Sequence, residues 1–111
     1  MPKTVKYEVE ATTIFGAPIQ MRVPADITVE TPDGTEQANV SLPLKMKDGS
    51  IGYEKAFMPG NFVYISAQKG DYEGSITCRI TVSDIDGANS RVISENTSSG
   101  DYAVATCRGR F

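Results

Sequence analysis

The chain contains no histidine and no tryptophan, and only two of its 111 residues are cysteine. Without histidine, the Ser-His-Asp and Cys-His arrangements and the commonest general base are excluded. The same absence, with no CxxC spacing, removes the usual ligands of a tetrahedral zinc site. No apolar run reaches the length of a signal-peptide core or a membrane-spanning helix. Cations are few as well: 11 Lys and Arg stand against 14 Asp and Glu, a formal net charge of -3. That balance argues against a nucleic-acid surface, which needs clustered Lys and Arg, and shows no polybasic membrane patch.

Helical periodicity is scarce, and short β-rich runs separated by turn residues take its place. "TVKYEVEA" alternates Val5, Tyr7 and Val9 with Lys6, Glu8 and Glu10, the period of a half-buried strand. The segment from Thr12 to Ala25 carries Gly16, Pro18 and Pro24 and is expected to form a long loop or irregular edge. "DITVETPDGTEQANVSLPLKM" reads as a hairpin turning at Pro32-Asp33-Gly34, with Pro43 marking an edge strand or a bulge. Further strands follow in "IGYEKAFM", "FVYISAQ", "SITCRITV", "RVISENT" and "YAVATC", with turns at Asp48-Gly49, Pro59-Gly60-Asn61, "DIDGANS" and "SSGD". The expectation is a single all-β domain over residues 1–111, with about seven or eight antiparallel strands in a sandwich or barrel.

In "SITCRITV", Cys78 shares a face with Ile76, Ile80 and Val82, so it points into the core. In "YAVATC", Cys107 shares a face with Ala103 and Ala105, a close-packed setting. An even count in a small β-rich domain favours a disulfide and an oxidising compartment; two free buried thiols are the alternative. Closing a loop of this size stabilises by about 3.5 kcal/mol in the chain-entropy picture. Whether the bond joins adjacent strands or crosses the sandwich stays open at this level.

The carboxylates Asp71, Glu73, Asp84, Asp86, Glu95 and Asp101 leave acid–base chemistry formally available, but most adjoin turn residues where Asp has a structural role. "DIDGAN" lacks the remaining ligands and closing Glu of a calcium loop. No cofactor or metal is called for, and the expectation is a non-catalytic binding or assembly domain.

"PGNFVYISAQKGDYEGSITCRITV" followed by "VISENTSSGDYAVATCRG" resembles the soluble domain of the MmpS family, the small mycobacterial membrane proteins. "VKYEVEA" and the hairpin through "VSLPL" agree more loosely, so the resemblance runs from Val5 to Gly109. Thr12 to Pro24 and "SDIDGANS" are longer than the family's compact versions. The resemblance implies an immunoglobulin-like β-sandwich with a Cys78–Cys107 disulfide on the periplasmic side of the inner membrane. It implies a single anchor helix ahead of residue 1. It also implies an accessory role beside an MmpL transporter of the resistance-nodulation-division class, which exports siderophores or envelope lipids and in some cases drugs.

The polar run Asn96, Thr97, Ser98, Ser99, Asp101 and Tyr102 is the candidate docking turn, the alternative being that its side chains bond their own backbone. The edge near Pro43 is a second candidate, through strand addition. The competing functional reading is a module that carries a small apolar ligand, a lipid or siderophore, between its sheets or at Thr12 to Pro24. An unrelated extracellular adhesion sandwich would share the same fold.

Overall fold

A computed structural model describes residues 3–13, 15, 23–31, 34–42, 53–58, 60–70 and 74–110. Among these residues are eight strands: β1 (Lys3–Thr12), β2 (Val23–Thr31), β3 (Gly34–Leu42), β4 (Tyr53–Phe57), β5 (Phe62–Lys69), β6 (Ser75–Asp84), β7 (Arg91–Ser99) and β8 (Val104–Arg110). They form two four-stranded antiparallel sheets, β4-β1-β6-β7 and β3-β2-β5-β8. The all-β sandwich expected from the alternating runs is the observed architecture.

Strands β1, β2, β5 and β6 bury every second residue, because one face must leave water while the other keeps its polar side chains wet. Val5, Tyr7, Val9 and Ala11 of β1 meet Ile76, Cys78, Ile80 and Val82 of β6 on one inner face. Ala25, Ile27 and Val29 of β2, Val63, Ile65 and Ala67 of β5, and Ala105 and Cys107 of β8 form the other. Pro24 lies within β2, so the irregular segment predicted up to Ala25 already turns into strand at Val23. Its place explains why it is tolerated: β2 pairs with β5 only from Ala25 onward, so Pro24 lies past the end of that ladder. The predicted edge character of the "NVSLPL" strand is borne out in β3, while Pro43 and Asp48-Gly49 lie outside the described residues. The predicted turn before β5 is closed by the Asn61 amide donating to the Met58 carbonyl at 3.1 Å.

The pairings are nested. β2–β3 lies within β1–β4, β2–β5 within β1–β6, and β6–β7 within β5–β8. In the immunoglobulin order the second strand pairs with the fifth and the third with the sixth; here the first pairs with the sixth. Advancing each strand by four positions turns one sheet's order into the other's. The halves β1–β4 and β5–β8 therefore follow one plan with the sheets exchanged.

Two features bind the sheets together. Cys78 on β6 and Cys107 on β8 form a disulfide, with Cα atoms 6.1 Å apart, which resolves the open alternative in favour of a bond across the sandwich. Tyr7, fully buried on β1, reaches into the opposite sheet just beyond the last β2–β5 pair. Its hydroxyl donates to the Glu30 carbonyl at 2.8 Å and accepts from the Tyr64 amide at 3.2 Å, bridging two backbone groups beyond the end of that ladder. Phe57 packs edge-on against the same ring, centroids 6.3 Å apart.

Candidate functional site

The predicted docking run does not form a turn throughout. Strand β7 extends to Ser99, and only Gly100 to Ala103 connect it to β8. The run is polar but still extended, because its side chains find partners across strands. Thr97 Oγ1 pairs with Thr77 Oγ1 at 2.8 Å and Ser99 Oγ with Ser75 Oγ at 2.6 Å, two cross-strand hydroxyl pairs on the outer face. Asn96 stands opposite Cys78 on the inner side, and its Nδ2 donates to the Thr106 carbonyl of β8. Ser94, also inward, accepts from the Arg108 amide at 3.3 Å through its hydroxyl. These two side chains occupy backbone groups on the free edge of β8, as a ninth strand would. Ser94 was not singled out by its sequence context; its role follows from a bulge that leaves Ile93 unpaired between Val92 and Ser94.

Asp101 and Tyr102 are exposed in the connecting turn. Tyr102 has φ +56°, a left-handed conformation costly for an aromatic residue. Two contacts secure it: its amide donates to the Gly70 carbonyl at 3.4 Å, and its carbonyl accepts from Gln68 Nε2 at 3.3 Å. The neighbouring Gly74 is required by its surroundings, since a Cβ there would lie 2.0 Å from the Thr12 carbonyl oxygen. The tip is thus a fixed presentation of one phenol and one carboxylate at the end of the sandwich where β1 finishes.

Of the candidate carboxylates, Asp84, Asp86 and Glu95 are engaged structurally, while Asp71 and Glu73 lie outside the described residues. Arg79 sits in register between Glu8 on β1 and Glu95 on β7 and pairs with both. The Glu95 hydrogen bond raises the guanidinium pKa against a smaller lowering by burial, with the charges of Glu95, Glu8 and Glu10 adding to the rise. Asp84 bonds Lys3 and Asn89, and these bonds, Lys3 first, hold its carboxyl below the usual range. Asp86 accepts from the Ala88 amide at 3.0 Å within the same loop. Among the described residues no group of three or more Asp, Glu or Cys is placed to hold a metal, and no helix is long and apolar enough to cross a membrane.

Among the described residues, the buried side chains of the two sheets form one hydrophobic cluster. A cavity of about 410 Å³ lies instead on the outer face of the β2–β3 ribbon, wide open and lined by Asp26, Thr28, Gln37 and Asn39 among others. Asn39 Nδ2 already donates to Asp26 Oδ1 there, at 2.6 Å.

Comparison with protein-family models and with curated proteins finds no match to this chain.

Proposed function

We propose that this domain is a non-catalytic accessory of an MmpL-type transporter of the resistance-nodulation-division class, acting on the periplasmic side of the inner membrane behind one anchor helix. Its cargo system is the export of a siderophore or envelope lipid, with drug efflux as a further outcome. The reading rests first on the resemblance of β5 through β8 to the MmpS family. The observation that supports a scaffold over a carrier is that the described buried side chains of both sheets belong to one hydrophobic cluster.

The docking surface in this proposal is the Gly100–Tyr102 tip with the adjoining run from Asn96. Asn96, Thr97 and Ser99 stiffen the platform, while Asp101 and Tyr102 face outward. Tethering by an anchor raises the local concentration, so a small interface suffices.

Crosslinking and copurification of the membrane-anchored protein from its own host tests this. Recovery of one large transporter, lost when residues 100–102 are replaced, is the expected result. Recovery of a bound lipid or siderophore without a transporter would overturn it in favour of the carrier.

A further inference from the structure

The sequence has no polybasic run, yet the fold gathers separate cations and apolar side chains at the end of the sandwich where β1 begins. β5 starts and β8 ends there, which sets Phe62 directly opposite Arg110 and Tyr64 opposite Arg108 on one outer face. The two rings stack with centroids 6.1 Å apart, forming an aromatic ledge beside two guanidinium groups. Met58, 54% exposed, projects from the turn before β5. On the other sheet, the β6–β7 hairpin brings Ile85, 58% exposed, Val92 and Arg91 to the same end.

The charges at this end are unequally engaged. Lys3 and Asp84 neutralise each other, Glu30 accepts from the Thr35 hydroxyl, and Asp86 accepts from a loop amide. Among the described residues, Arg91, Arg108 and Arg110 enter no ion pair. The opposite end has a different composition: Phe15, Tyr102 and Val104 are exposed beside Asp101, and its described cation, Lys69, is buried.

We infer that the Phe62–Arg110 end rests on the surface of an anionic lipid bilayer. Single apolar tips from both sheets, interleaved with arginines, match the bilayer's interface. There the side chains reach the acyl boundary while guanidinium groups meet lipid phosphates. A protein partner would call for a contiguous apolar patch rather than tips spread over two sheets. The inference leans on the accessory reading in one respect: an anchor entering β1 would bring this end to the membrane.

Flotation of the 111-residue chain with vesicles tests the contact without any anchor or transporter, so its failure is separate from failure of copurification. The chain is expected to float with vesicles of phosphatidylcholine and phosphatidylglycerol, and hardly with phosphatidylcholine alone. Raising the salt concentration should weaken the association. The double variant Arg108→Glu and Arg110→Glu should bind at least about 25-fold more weakly, roughly fivefold per lost arginine. Ile85→Ser should also weaken it, while Tyr102→Ser at the opposite end should leave it unchanged. Circular dichroism establishes that each variant is folded. Equal binding to neutral vesicles, equal loss with Tyr102→Ser, or no flotation of the folded chain would each overturn the inference.

Discussion

In the second half of the molecule, β5 to β8, the two sheets are joined by a covalent bond and by side chains grafted onto a free strand edge. In the first half, β1 to β4, the strand plan is the same with the sheets exchanged, but the corresponding strands β2 and β4 bury Val29 and Phe57 instead of a disulfide. A shared topology therefore does not dictate how its layers are held. Nonlocal pairing sets where the strands lie, and a few specific bonds decide which half resists opening. The reinforced half also carries the fixed Tyr102 tip, so rigidity is concentrated where the proposed docking needs it.

Breaking the disulfide should erase most of that contrast. Replacing both Cys78 and Cys107 with Ala is expected to lower stability by about 3.5 kcal/mol or more, since a cavity adds to the lost loop constraint. Urea unfolding of the oxidised wild type and the double variant measures it; a loss under about 1 kcal/mol would show that the halves are equally robust without the bond. Tyr7→Phe probes the clamp that joins the two halves. It removes one hydroxyl and strands both the Glu30 carbonyl and the Tyr64 amide, for an expected cost of about 2 kcal/mol. Hydrogen exchange at the Tyr64 amide should accelerate in this variant even where global stability is restored by another substitution.

Asn96→Ala should cost less, about 1 kcal/mol, because the Thr106 carbonyl it abandons can take water at the sandwich edge. Its sharper effect is to uncover the β8 edge, so self-association at high concentration should rise, measured by sedimentation velocity. The smallest effect concerns acid. The folded-state pKa of Asp84 is lowered, so its contribution is complete above the unfolded value near about pH 4 and disappears as pH falls through the lower folded value. Lys3→Met should flatten that part of the acid titration of thermal stability; an unchanged acid limb would assign the loss to other carboxylates.

Much of the fold is legible in the residues themselves. The alternation in "TVKYEVEA" and "SITCRITV" places each strand and its inward face, because burial of one face leaves a period of two. Pro24 marks where the β2–β5 ladder ends, and the alanines beside Cys107 mark a close approach between layers. The order of the strands is not legible, since alternation records which side faces the core and nothing about the neighbour. The halves likewise share a plan without a visible repeat, because many apolar side chains fill equivalent positions. The polar run at Asn96 resembles a turn in sequence for a physical reason: Asn, Thr and Ser favour local backbone bonds, and only the neighbouring strands supply the better partners found here. Tyr7 looked like any strand aromatic, and its hydroxyl's role depends on a sheet that its own sequence context does not reveal.

The junction between the halves has a consequence for assembly. The disulfide closes entirely within β5–β8, so the halves are joined by strand pairing, by the Tyr7 hydroxyl, and along the chain by the short Met58–Asn61 turn. Two copies exchanging first halves would remake only the β1–β6 and β2–β5 pairings between chains, every other pairing staying within its own half. Such a dimer would keep each disulfide intact, so oxidation secures the second half and leaves exchange between molecules open.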